Sequence, residues 1–215
     1  MFETLVLAAG GSTRMGAWKL LLPWQGLTVV ETVVEEALAF GGRVIVVAGY
    51  RSADLEELFQ GAEGIKVVTH DGWQKGQFTT LQRGLAELRS DAFFVTLADM
   101  PGVTRRAFAE LAEARAALPA GTAPRAVRPG SPQSPGHPVL FDAAAREVIL
   151  GLDPGQSMRD VFPRLALTYV PADERAFRDV DAPSDYAGGV LDPDRTRCPP
   201  RLFAEATRAA RRLSK

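Results

Sequence analysis

Strand-length apolar runs alternate with helix-length segments from the N-terminus to residue 118, and few folds accommodate that order. Residues 4–9 (TLVLAA), 43–48 (RVIVVA), 65–69 (IKVVT) and 92–98 (AFFVTLA) are short, mostly apolar and rich in β-branched or aromatic side chains, as buried strands are. Between them, 28–40 carries apolar residues at helical spacing and stops at Gly41-Gly42, while 52–59, 78–89 and 104–118 read as further helices. Ser52 and Thr104 stand where N-caps belong. Consecutive parallel strands need a crossover, and a helix supplies it. The alternation therefore predicts a doubly wound, mostly parallel α/β sheet with helices on both faces. The second half is less regular: 124–141 is rich in proline and glycine and reads as strand, loop, strand. Asp142 caps a helix to about Leu150, a shorter helix follows Ser157, and 165–170 is a late strand.

A chain of 215 residues, 46% hydrophobic, can bury a full core and fits one domain with an appendage. The composition shifts at Asp192, after which the chain is mainly basic. We divide it into a domain of residues 1–191 and a basic helical extension of residues 192–215. In that extension, Leu202, Phe203, Ala206, Ala209, Ala210 and Leu213 build an apolar stripe, expected to dock on the parent domain. The net charge of −1 points to neither nucleic acid nor a membrane surface. A single cysteine, Cys198, excludes an internal disulfide framework and a cysteine-rich metal site. The opening MFETLVLAAG has no basic segment before its apolar run, so it reads as a core strand, not a signal peptide. No run approaches the roughly 18 apolar residues of a membrane helix. The expectation is a soluble, cytoplasmic protein.

The first strand runs into a flexible loop holding Gly10, Gly11, Ser12, Arg14 and Gly16, with Lys19 just beyond. Glycine-rich loops after a first strand cradle phosphate on backbone N–H groups. A P-loop is excluded, because Ala17 occupies the position its lysine needs, and no G-x-G-x-x-G triplet exists at 10–16. What remains is a set of exposed amides plus two cations, which suits a polyphosphate; a plain surface turn with solvated cations is the alternative. Asp99 ends the fourth strand, and ligands of open α/β sheets collect at strand carboxyl ends. We expect it exposed at a crevice beside the loop, where a carboxylate facing a triphosphate would hold Mg²⁺; turn capping is its other reading. The later cluster DVDAPSD (179–185) offers Asp181 as a second such ligand or as a turn starter. His137 lies between Gly136 and Pro138 with no cysteine or paired histidine to make a metal site or nucleophilic triad.

Together these segments resemble the molybdenum cofactor cytidylyltransferase family, within the MobA-like nucleotidyltransferases. The pattern A-A-G-x-S-x-R-M-G-x-x-K matches residues 8–19, the aspartate-proline motif matches LADMP (97–101), G-H-P matches 136–138, and D-x-D-x-P-x-D matches 179–185. The resemblance spans about residues 3–190. It departs in the middle segment, with His70 for asparagine and Thr79-Thr80 for paired serines, and at Ala182 for threonine.

The resemblance implies a Rossmann-like nucleotidyltransferase fold and transfer of CMP from CTP to the terminal phosphate of molybdopterin. Ala8, Ala9, Gly10, Gly11 and Ser12 would embrace the nucleotide, with Gly76, Thr79 and Thr80 beside it. Arg14 and Lys19 would bind the β- and γ-phosphates, and Asp99 and Asp181 would hold Mg²⁺. Gly136 and His137 would face the acceptor. A molybdenum hydroxylase is the implied client. Other readings are a GTP- or other NTP-dependent transferase acting on molybdopterin or a sugar phosphate, or a non-catalytic carrier of finished cofactor.

Overall fold

The computed structural model describes residues 2–11, 18–119, 121 and 123–172. The extension 192–215, its boundary at residue 191 and the 179–185 cluster lie outside the described residues. Seven strands form the main sheet: β1 (Glu3–Ala8), β4 (Arg43–Ala48), β5 (Ile65–Thr69), β6 (Ala92–Leu97), β7 (Arg125–Pro129), β8 (Val139–Asp142) and β9 (Ala166–Val170). Their spatial order is β5-β4-β1-β6-β8-β7-β9. Only β8 runs against its neighbours; every other pairing is parallel. The mostly parallel, doubly wound expectation therefore holds. A small hairpin of β2 (Pro23–Trp24) and β3 (Leu27–Thr28), turning at Gln25-Gly26, is an element the periodicity did not reveal. Its strands are two residues each, too short to carry an alternation.

Register sorts the strand side chains onto two faces, because successive residues point to opposite sides. Leu5 pairs with Ile45 on one side and Val95 on the other, and all three face α3 (Gln77–Leu85) and α5 (Ala143–Leu150). Val6 and Val46 face the opposite layer, made by α1 (Val29–Phe40), α2 (Ser52–Leu58) and α4 (Arg105–Ala117). Phe94 anchors that layer, with ring centroids 5.4 Å from Phe40 and 5.0 Å from Phe108. Each face buries its own apolar cluster.

Helix ends depart from the sequence in instructive ways. Thr28 caps α1 through a reciprocal box with Glu31, and Asp142 caps α5 by accepting from Ala145 N at 2.9 Å. Ser52, by contrast, is the first helical residue; Arg51, in the left-handed region at φ 50°, precedes it. Thr104 makes no side-chain cap, and the Arg105 N–H donates instead to Glu36 Oε2 on α1, 2.6 Å away. Helix α3 ends at Leu85, short of the expected 89, because arginines from other elements take the carbonyls beyond it. Arg43 Nη2 donates to Glu87 O and Arg146 Nη2 to Leu88 O, each at 2.6 Å. The short α6 (Met158–Val161) starts from a Ser157–Asp160 capping box.

Candidate active site

The chain leaves β1, crosses to β4 and β5, and returns past β1 to β6. The strand order thus reverses at β1 and β6, and their carboxyl ends frame the crevice where open α/β sheets bind ligands. The loop after β1 and the segment after β6 both begin there. Ala98 N donates to Leu7 O at 3.1 Å, which carries the β1–β6 ladder one residue further and presents Asp99 at its edge.

Lys19 and Asp99 meet across this crevice. Lys19 Nζ lies 2.6 Å from Asp99 Oδ2, and the two side chains keep only 12% and 21% of their surface exposed. The aspartate expected to be open is thus largely covered, because the lysine lies against it. Asp99 Oδ1 is buried and has no hydrogen-bond partner among the described residues. A buried carboxylate oxygen without a donor is costly, and a hard cation is the partner such an oxygen suits. The donor set among the described residues therefore fits a divalent metal at Asp99, although they include no cluster of three or more candidate ligands. Arg14, Ser12 and Asp181 lie outside the described residues.

Aromatic side chains wall the start of the loop. Trp18 Nε1 donates to Gly10 O at 3.3 Å, and Tyr50 N donates to Ala9 O at 3.1 Å, so the loop start is held from both sides. Tyr50 lies edge-on between Trp18 and Trp73, with centroids 5.9 Å from each. A Cβ on Gly11 would touch the Tyr50 ring at 3.6 Å. Gly49 makes the approach possible: a Cβ there would sit 2.5 Å from Trp73 Cβ and 2.8 Å from Ala9 Cβ. Arg51 lies over Trp18, 5.0 Å from the ring centroid. The sequence reading missed Tyr50 and Arg51; their place just after a strand's carboxyl end was the signal.

Gly76, Thr79 and Thr80 come together before and inside α3. Gly76 has φ 113°, a backbone state that favours glycine, and its carbonyl accepts from Thr79 Oγ1 at 2.8 Å and Thr80 Oγ1 at 3.3 Å. Both threonines are buried, so their hydroxyls support the turn that exposes Gly76. His70 Nε2 is 3.0 Å from Thr79 Oγ1. With the hydroxyl proton given to Gly76 O, Nε2 is the donor, which fixes the His70 tautomer. Burial, then the charge of Arg83, holds the His70 pKa below its usual value.

On the α3 side of β1 and β6 lies a cavity of about 310 Å³, walled by Leu7, Val95, Val139 and Phe141 and reached by Arg128 and His137. Gly76 also borders it, so the cavity adjoins the turn described above. His137 Nδ1 is 3.3 Å from Val95 O. Burial, then the neighbouring Arg128 cation, pushes the His137 pKa down to about 4, and the imidazole is neutral at pH 7. Gly136, buried, accepts from Arg128 Nη2 at 3.0 Å. Arg128 was not anticipated. Its signal was a charge in the inward phase of a strand, two residues after the buried Ala126.

A model of the MobA-like NTP transferase domain matches residues 4–168. The molybdenum cofactor cytidylyltransferase of Escherichia coli (strain K12) is 31% identical over 138 residues, which is 64% of this chain and 68% of that one. The nicotine blue oxidoreductase of Paenarthrobacter nicotinovorans is 27% identical over 190 residues, covering 82% of this chain and 90% of that one. A nucleotidyl transferase structure from Methanothermobacter thermautotroptrophicus superposes with a TM-score of 0.74 at 23% identity, over 97% of this chain and 99% of that chain.

Proposed function

The chain belongs to the MobA-like NTP transferase family, and from that membership we propose that it transfers CMP from CTP to the terminal phosphate of molybdopterin, releasing pyrophosphate. The observation that carries the reading is the Lys19–Asp99 pair at the strand-order reversal, with Asp99 Oδ1 buried and unpartnered. A cation and a carboxylate held together there are poised to exchange partners when a triphosphate and its metal arrive.

In this reading the Ala8–Ser12 loop embraces the nucleotide through its backbone, and Gly76 presents its own backbone beside it on the Thr79–Thr80 support. Lys19 leaves Asp99 for the β- and γ-phosphates, which it shares with Arg14. Asp99 and Asp181 would hold Mg²⁺, which neutralises charge on the α-phosphate and on departing pyrophosphate. An oxygen of the acceptor's terminal phosphate attacks the α-phosphorus in line. The bond from that phosphorus to the bridging β-phosphate oxygen breaks, and pyrophosphate carries the electron pair away. No protein nucleophile is needed, since positioning and charge neutralisation dominate such transfers. Neutral His137 and Gly136 border the acceptor's side. The product would pass to a molybdenum hydroxylase as client.

The test is pyrophosphate release by purified protein with Mg²⁺ and each NTP in turn, with and without molybdopterin. Release with CTP only when molybdopterin is present supports the reading. Release with GTP, or with a sugar phosphate as acceptor, replaces the substrates and keeps the chemistry. The match to a relative named an oxidoreductase supplies a second reading. Redox turnover of nicotine blue without pyrophosphate release from any NTP would favour it and overturn the transferase.

A further inference from the structure

Arg128 is the one arginine among the buried polar and charged residues described, at 7% exposure. It sits on β7 in phase with Ala126, so its side chain turns to the α3 face and lines the cavity there. One guanidinium nitrogen, Nη2, donates to Gly136 O at 3.0 Å, and the plane rests on the Phe162 ring with Cζ 4.7 Å from its centroid. The Nε–H is buried and has no hydrogen-bond partner among the described residues. Among the described residues no carboxylate pairs with Arg128, and the histidine beside it is neutral. Guanidinium keeps its proton under all ordinary conditions, so the charge is real and has no carboxylate against it among the described residues. A buried cation without a counter-ion is retained where a ligand supplies one.

The rest of the cavity says what else that ligand carries. Its walls combine apolar side chains, the Phe162 ring beside the guanidinium among them, with the polar Gln77, Gln156 and Ser157, and the exposed Lys75 stands at its edge. Its volume suits a small ring system. It also adjoins the proposed transfer site: Leu7, just before the glycine loop, and Leu97, two residues before Asp99, both line it. We infer that Arg128 is a specificity-determining residue that binds an anionic group of the acceptor, and that the cavity selects a phosphomonoester joined to a flat ring. This rests on the reading of the chain as a transferase to a phosphorylated acceptor, and it assigns the residue that recognises that acceptor.

Phenyl phosphate is the probe, with benzyl alcohol as its uncharged counterpart, in calorimetric titrations of the full chain. Wild-type protein should bind phenyl phosphate at least ~10-fold more tightly than benzyl alcohol, as expected for a charge-assisted bidentate contact. Arg128→Met should lose that preference, Arg128→Lys should keep part of it, and Lys19→Ala should leave it in place. Equal affinity for the two probes, or a preference lost in Lys19→Ala and kept in folded Arg128→Met, overturns the inference. Because Arg128→Met also frees the Gly136 carbonyl, a second readout uses wild-type protein. The Arg128 Nε–H resonance, assigned by its absence in Arg128→Lys, should shift with phenyl phosphate and not with benzyl alcohol. An unmoved resonance overturns the inference whether or not the methionine variant folds. Phenyl phosphate binding at Arg128 with no pyrophosphate release would keep the anion pocket and remove the cytidylyl reading. The converse would keep the reaction and remove Arg128 from it.

Discussion

The two sides of the crevice handle charge in opposite ways. On the β1–β4 side the start of the loop meets aromatic edges and backbone, and Lys19 already holds the carboxylate of Asp99. On the β7–β8 side a guanidinium is buried against a phenylalanine with no carboxylate beside it among the described residues. A self-neutralised pair can wait for ligands of both signs, a metal and a polyphosphate, and lose little when either leaves. A lone buried cation is satisfied by one sign only. The difference teaches that the first side is built to exchange partners during a reaction, and the second to select what is admitted.

The largest effect expected from this contrast is at Asp99. Asp99→Ala should cut pyrophosphate release by at least ~10²-fold, because it removes the carboxylate fitted to the metal. It lies at the crevice edge and opens no core cavity, so the melting curve should be nearly unchanged. Near-normal turnover with normal melting would break the exchange picture.

Lys19→Ala comes next. It should raise the KM for every NTP by roughly 10-fold, the scale of one charge-assisted contact, without changing the order of preference among bases. A switch in the preferred base would place Lys19 against the nucleobase and not the phosphates.

His137→Ala should act on the other side, raising the acceptor KM severalfold more than the CTP KM. With its pKa pushed down to about 4, the ring is neutral from pH 5.5 upward, so the acceptor KM should show no inflection between pH 5.5 and 8 from this residue. Equal effects on the two substrates would make His137 a purely structural contact.

The smallest effect tests whether charge matters only inside the crevice. Glu35 on α1 is half-buried beside Glu31 and Glu36, and burial, then those two charges, raises its pKa to about 7. Its folded-state value is above its unfolded one. Its stabilising contribution is therefore full below about pH 4.5 and is lost as pH rises through 7. Glu35→Gln should melt about 2–4 °C higher than wild type at pH 8, after allowance for partial exposure, and the gap should close toward pH 5. Both KM values should stay as they were. A change in either would tie α1 to the site and blur the two-sided comparison.

Local pattern carried the layered fold. Strand-length runs such as RVIVVA, and IKVVT with its one exposed lysine, read as strands, and their windows coincide with β4 and with β5 at the sheet edge. The Asp142 cap was legible because the donor it satisfies lies three residues away in the same chain, whereas Thr28, expected as part of the helix, is the cap of α1. The Thr104 and Ser52 caps were misread for the complementary reason. Glu36 reaches Arg105 across 69 residues, and a left-handed Arg51 leaves no sequence mark. Helix α3 likewise stops where distant arginines take its carbonyls.

By itself the sequence determined the alternation of elements, the glycine loop after the first strand, the aspartate after the fourth and a histidine flanked by glycine and proline. Each is a short-range feature, set by periodicity or by residue type within a few positions. Tertiary structure alone decided that Lys19 meets Asp99, that β8 runs backward between β6 and β7, that Gly49 yields its side-chain space to Trp73, and that Arg128 is buried with no counter-ion among the described residues. Those outcomes depend on which strands become neighbours and which faces they present. The same residues in another strand order would keep every local propensity and lose both the exchangeable pair and the buried cation.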